Sequence, residues 1–230
     1  MRWISTSLIA LVAGFAGAAL WSFSGLGDNH TRDYLLSNPE VLPQAMEELQ
    51  RRDTLARIEP LRDELEAAFP GAVLGNPDGA VTLVEFTDYA CTYCRQSVAD
   101  VNALIASNPD LKVVVREYPI LTEQSADAAR MALAAAQQGR FEQFHLAMFA
   151  QGQVTQETIT AAATQAGVDV EQALAAISAG QFESQLQNNI FLAQSLGITG
   201  TPSWIVGDKA LNGAIGAESI GRAIAEARDS

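Results

Sequence analysis

Cys91 and Cys94 are the only two cysteines in the 230-residue chain, and they are spaced Cys91-Thr92-Tyr93-Cys94. A β-prone run, Ala80-Val81-Thr82-Leu83-Val84-Glu85-Phe86, precedes them. Apolar residues at helical spacing follow: Val98, Val101, Leu104 and Ile105. The pair is therefore expected where a strand gives way to a helix, with Cys91 at the helix N-terminus. The first turn of a helix offers unpaired N–H groups and the positive end of the macrodipole, and both favour an anion. A thiolate placed there is stabilised, its pKa falling from about 8.5 to roughly 3.5–7.5, and the thiolate is the form that attacks disulfides. Cys94, one turn on, is placed to resolve the mixed disulfide. Other uses of the pair fit less well. A structural disulfide closing so short a loop would restrain the unfolded chain little. Zinc would need His30 and His145 from distant segments to complete four ligands. Inert buried thiols sit poorly beside Thr92, Tyr93 and Arg95. Two soft thiolates could hold copper(I), although no Met or His close in sequence adds to them.

The elements around the pair can be read in order. Asn76-Pro77-Asp78-Gly79 is turn chemistry, as is Pro70-Gly71, and it opens the strand at 80–86. A helix over 92–107 ends at Asn108-Pro109-Asp110, and Leu111 to Tyr118 is β-rich, which completes β-α-β. From Thr122 to about Leu196, alanine, glutamine and glutamate dominate. Helices are expected at about 123–138, 140–150, 155–166, 170–178 and 181–196, with Gly139, Gly152, Gly167 and Gly180 at their ends. Phe141, Phe144, Met148 and Phe149 form an aromatic stripe assigned to the core, and His145 among them reads as a core or surface histidine. Strand character returns over 197–206. Gly207-Asp208 is a hairpin signal with Lys209-Ala210-Leu211 as its second arm, and a last helix covers 217–228.

The N-terminal part has a different character. Residues 1–24 carry one Arg at the front and no further charge, as a signal peptide or a signal-anchor would. Ala16-Gly17-Ala18 has the small-x-small form of a cleavage site, and an uncleaved anchor over 3–23 is the alternative. Either way the bulk of the chain is expected to be exported, to a bacterial periplasm. Residues 25–32 read as a polar linker and 33–69 as helices. Asn38-Pro39-Glu40 is a helix start. Leu42, Ala45, Met46 and Leu49 form one apolar stripe, and Leu61, Leu65, Ala68 and Phe69 form another beyond the break at Pro60. Such stripes suit either packing on the main domain or self-association over 33–69. The net charge of −13 argues against nucleic-acid binding, because little here would neutralise phosphates.

The order β-α-β, helical insertion, β-β-α resembles the thioredoxin fold with an inserted all-helical domain, as in DsbA-like thiol-disulfide oxidoreductases of the DsbA/ScsC branch. The resemblance covers about residues 72–228. It rests on Asp88-Tyr89-Ala90-Cys91-Thr92-Tyr93-Cys94, Arg116-Glu117-Tyr118-Pro119-Ile120-Leu121 and Gly197-Ile198-Thr199-Gly200-Thr201-Pro202. It implies an α/β architecture made of a helical N-terminal segment over 25–71 and a thioredoxin-like domain over 72–230 with its insertion at about 122–196. By the same resemblance Cys91 is the attacking cysteine and Cys94 the resolving one, and together they are the redox-active disulfide. Thr201-Pro202 matches the family's cis-proline step, where a substrate strand can pair with the Thr201 backbone. Glu85 matches the buried acid that exchanges a proton during the reaction. No cofactor and no metal is expected. The implied partners are cysteine-containing protein substrates and a membrane redox protein that recycles the pair. A dithiol oxidase leads, with an oligomeric isomerase or reductase of the ScsC-like type, or a copper(I)-binding module, as alternatives. Thr92-Tyr93 lacks the histidine of the best-known oxidase, so a milder oxidant is expected, and the Thr before Pro202 looks more like isomerase-type members.

Overall fold

The computed structural model describes residues 11–17, 19 and 26–228, apart from the side chains of residues 26–29. It divides into two compact units, Met1–Gln50 and Arg51–Ser230. In the first unit residues 11–17 are helical, and helix α1 spans Leu26–Ser37. The expected linker at 25–32 is therefore mostly helix. Asp28, Asn29 and Thr31 are polar but only mildly unfavourable in helices, so polar composition alone does not make this stretch a loop. The Asn38 amide donates to the Tyr34 carbonyl at 2.9 Å and closes α1 instead of opening the next helix. That helix, α2, starts only at Val41 and runs to Ile58. Leu42, Met46 and Leu49 are exposed along it. No helix among the described residues is long and apolar enough to cross a membrane. The expected signal or anchor over 3–23 lies largely outside the described residues.

In the second unit the break expected at Pro60 is a short 3₁₀ turn, Glu59–Leu61, followed by α3, Arg62–Glu66. Leu65 is buried here, so the second apolar stripe packs into the core. The sheet has five strands in the order β1-β3-β2-β4-β5. They are β1 Val73–Gly75, β2 Val81–Thr87, β3 Leu111–Glu117, β4 Ser203–Val206 and β5 Lys209–Asn212. β2 and β3 are parallel, joined through α4, Thr92–Ser107, and the other pairings are antiparallel. The insertion supplies α5 Glu123–Gln137, α6 Phe141–Ala150, α7 Gln156–Gln165, α8 Val170–Ser178 and α9 Glu183–Ser195, and α10 Gly216–Arg228 closes the chain. Reciprocal capping boxes start α5 at Thr122/Ser125 and α7 at Thr155/Thr158. Gly139, at φ +67°, turns the chain out of α5.

Strand alternation gives the sheet two faces. Leu83, Val113, Val115, Trp204 and Val206 point to one face, where α4, α10 and much of the insertion cover them. Val84, Phe86, Val114 and Ile205 point to the other, against Ile58, Leu65 of α3 and Leu192 of α9. By the same alternation Glu85, Thr87 and Glu117 belong to the first face and Arg116 to the second. The expected strand at 197–206 shortens to four residues, because Gly197 to Pro202 leaves the ladder to approach α4.

Candidate functional site

β2 ends at Thr87, and the chain turns through Asp88-Tyr89-Ala90 into α4. Asp88 is buried, and its carboxylate fixes this turn. Oδ1 accepts from the Ala90 N–H at 2.8 Å, and Oδ2 accepts from the Ile120 and Leu121 N–H groups at 2.9 and 3.0 Å. One carboxylate thus ties the loop after β3 to the loop that carries the cysteines. Arg95, on the first turn of α4, donates to the carbonyls of Phe149, at 2.9 Å, and Gly152, so the helix start is also anchored to the insertion.

Cys91 occupies the N-cap of α4 with an extended backbone. Its Sγ accepts the Cys94 N–H at 3.3 Å, as a capping oxygen would, and its thiol donates to the Thr201 carbonyl at 3.2 Å. Both cysteines are free thiols in this structure. Deprotonation of Cys91 gives up the bond to Thr201 and keeps the one from the helix N-terminus. Thr201-Pro202 is a cis peptide, and the Thr201 carbonyl contact brings this step beside the Cys91 sulfur. Cys94 is fully buried. Burial pushes its thiol well up, which the nearby Thr201 side chain, the Asp88 backbone and Thr87 side chain only partly offset. Around the mouth Tyr93, Ile120 and Leu121 are exposed apolar side chains.

Beneath the sulfurs lies a set of buried ionisable groups. Glu85 is 2% exposed, and burial pushes its carboxyl up to about 8. Glu117, directly across from Thr87 in the β2–β3 ladder, is 1% exposed. Burial also holds its carboxyl well above the usual range; the Tyr89 hydrogen bond opposes this, and the charges of Asp88 and Glu85 add to it. The Tyr89 hydroxyl lies 3.1 Å from Glu117 Oε1 and 3.2 Å from His145 Nδ1. His145 sits between Phe141, Phe149 and Tyr89, and burial lowers its imidazole to about 4. It is a neutral core histidine with one polar contact. The structure thus brings Cys91, Cys94, Thr201 and Pro202 together and buries Glu85 on the face they share. Sequence reasoning assigned no role to Asp88, Tyr89 or Glu117. Glu117 could have been found from its alternation with Val113 and Val115, which puts an acid on an otherwise apolar face.

The chain matches known proteins along most of its length. The Thioredoxin family model matches residues 68–226, and that of the copper resistance protein ScsC N-terminal domain matches residues 32–54. A thioredoxin-like oxidoreductase from Silicibacter pomeroyi is 40% identical, with a TM-score of 0.70 over 74% of this chain and 98% of that one. The thiol-disulfide exchange protein alpha-DsbA2 of Wolbachia pipientis is 27% identical, with a TM-score of 0.72 over 77% of this chain and 97% of that one. A linker-deletion variant of Proteus mirabilis ScsC is 25% identical, with a TM-score of 0.69 over 86% and 92%. The curated relatives matched are sodium/proton antiporters NhaA, the one from Herminiimonas arsenicoxydans being 29% identical over 64% of this chain, and this chain spans about a quarter of their length. The chain belongs to the thioredoxin family and is a thiol-disulfide oxidoreductase of the DsbA/ScsC type.

Proposed function

From that membership and the geometry at Cys91, we propose that the chain works after export, in the periplasm, as a dithiol oxidase of protein substrates. The observation that carries this reading is the Cys91 sulfur at the N-cap of α4, held by the Cys94 N–H and facing the Thr201 carbonyl. A substrate thiolate attacks Cys91 in the Cys91–Cys94 disulfide. The new sulfur–sulfur bond forms to Cys91 as the old one breaks, and Cys94 leaves and takes up a proton. A second substrate thiolate then attacks the substrate sulfur of the mixed disulfide and releases Cys91 as a thiolate. The substrate is oxidised and the pair reduced, and a disulfide donor in the membrane reoxidises it. The helix N-terminus favours that released thiolate, which makes the reduced pair the stabler one and the oxidised pair a donor. An extended substrate strand pairs with the Thr201 backbone, and Tyr93, Ile120 and Leu121 supply apolar contact beside it.

Cys91→Ala abolishes exchange; residual turnover of a dithiol peptide would refute the assignment. Equilibration with glutathione buffers gives the direction of flow. A potential more oxidising than about −150 mV is expected for an oxidase, and one below about −220 mV points to a reductase or isomerase. A second reading, an oligomeric isomerase, draws support from the exposed Leu42, Met46 and Leu49 on α2, within the segment that resembles the ScsC N-terminal domain. It predicts a multimer by light scattering and a monomer when these three residues are replaced by Asp. A monomeric parent chain removes that reading.

A further inference from the structure

We propose that Glu117 holds the proton that Cys94 takes up when the Cys91–Cys94 disulfide opens, as a positioning residue that acts through the Thr87 hydroxyl. This rests on the exchange reaction proposed above. Cys94 lies at 0% exposure, so bulk water does not reach its sulfur. A thiolate left there without a proton would be a buried, uncompensated charge. The proton must come from inside.

The side chains near Cys94 hold spare hydrogen-bonding capacity. Among the described residues, five buried side-chain polar atoms have no partner, and four of them are Glu85 Oε2, Thr87 Oγ1, Glu117 Oε2 and Thr201 Oγ1. Buried polar atoms are ordinarily satisfied, and a cluster of exceptions calls for a cause. A reaction centre supplies one. Thr87 Oγ1 lies close to the Cys94 sulfur without making a well-formed bond in the thiol state. Glu117 is its partner across the ladder, on a strand about 4.8 Å away. A hydroxyl between an acid and a thiolate can donate to the sulfur while it accepts from the acid. In balance, the disulfide bond breaks, its electron pair stays on Cys94, the Thr87 proton moves to sulfur, and the Glu117 proton replaces it on Thr87. The carboxylate left behind still accepts from Tyr89, 3.1 Å away.

Tyr89 makes this store adjustable. It has one proton and two partners, Glu117 Oε1 and His145 Nδ1. It can serve the carboxylate after transfer and the imidazole before it. The groups that face Glu117 are Glu85, Thr87 and Asp88 from β2 and its turn, Tyr89 from the same turn and, beyond it, His145 from α6, with Cys94 from α4 beside Thr87. No lysine or arginine among the described residues pairs with Glu117 or Glu85, and Arg116 points to the opposite face. Two carboxyls in one site without a cation do not both ionise, so one proton stays available at neutral pH.

The test uses the oxidised full chain and reduced glutathione. The rate of mixed-disulfide formation at Cys91, divided by the fraction of glutathione present as thiolate, is followed from pH 5 to 9. The parent rate is expected to be flat and then to fall in the alkaline range as the carboxyl store empties. Glu117→Gln keeps an acceptor for Tyr89 but cannot transfer a proton. It is expected to lose at least about tenfold at neutral pH and to lose the alkaline inflection, because the Thr87 hydroxyl then has no acid across the ladder to draw on. Thr87→Val, of similar shape, is expected to do the same and carries the test if Glu117→Gln does not fold. A parental profile in either variant overturns the proposal, as does a uniform loss that leaves the inflection in place. A parent chain that forms no mixed disulfide at any pH overturns the exchange reading itself, together with this one.

Discussion

Arg116 and Glu117 are neighbours on β3, nearly equally buried, and they face opposite sides of the sheet. Arg116 fastens. Its guanidinium donates to the carbonyls of Glu64, of Leu65 at 3.0 Å and of Ala67 at 2.6 Å, and to the Asn189 side chain at 3.2 Å. It closes the C-terminal end of α3, whose last carbonyls have no partner within the helix, and couples it to α9. Asn189 also donates to the Glu117 carbonyl at 3.0 Å. Burial lowers the guanidinium to about 10, but it stays charged because backbone oxygens surround it. Glu117 has one hydrogen bond and a bare oxygen. A buried guanidinium whose terminal nitrogens are held by four oxygens is a structural part, even with its Nε unpaired. A buried acid with a valence open is free to change state.

The largest effect expected from this difference is on stability at Arg116. Arg116→Leu leaves three carbonyls at the end of α3 without their donor, and should cost about 4 kcal/mol. That is on the order of 10 °C in melting temperature for a unit of this size. The pH profile of exchange should not change, because the guanidinium is on the face away from the cysteines. A shifted profile with an unchanged melting point would erase the contrast between the two residues.

Glu85 sharpens the contrast from the other side. Its carboxyl titrates at about 8 in the folded chain and near 4.5 when unfolded. Between these values the folded state holds a proton that the unfolded state has released, so stability falls as pH rises. The drop from pH 5 to pH 8 should be about 3 kcal/mol. Glu85→Gln should make this limb shallower, leaving the share of Glu117, and melt higher than the parent at pH 8, with little gain at pH 5. An equal gain at both would mean that the acid is not buried as a proton store.

These outcomes bear on what was legible beforehand. The cysteine pair, the strand before it and the helix after it followed from local pattern, because C-x-x-C chemistry and helix starts are local. α4 begins at Thr92, as its spacing predicts. The aromatic stripe was legible too, because Phe141, Phe144, Met148 and Phe149 share one helical face, and all four are buried. β1 was not legible. Val73-Leu74-Gly75 is too short to carry a period, and it is a strand only because β3 offers it an antiparallel edge. The helix from Leu26 was hidden by polar composition. Glu117 shows no role in the sequence, because its importance arises in register, opposite Thr87 and under the side chains of another loop. Tyr89 and His145 are 56 positions apart, and only the packing of α6 against the cysteine loop makes them partners.

His145 gives the smallest effect and the opposite sign. Its imidazole titrates at about 4 in the folded chain and near 6.5 when unfolded. Here the unfolded state binds the proton first, so stability falls as pH drops below 6.5. Between pH 7 and pH 5 the loss should be about 2 kcal/mol. Over pH 4.5–6.5 this slope opposes those of Glu85 and Glu117, so the parent should decline gently there and more steeply on the alkaline side. His145→Gln removes the opposing limb and should leave stability that decreases with pH more steeply than the parent's from pH 5 upward. Denaturant midpoints at pH 5, 6.5 and 8 check this. A variant that kept the parent's gentle slope between pH 5 and 6.5 would mean that the imidazole is not the group opposing the carboxyls. Tyr89 would then have one working partner, and the adjustable store would reduce to Glu117 and Glu85 alone.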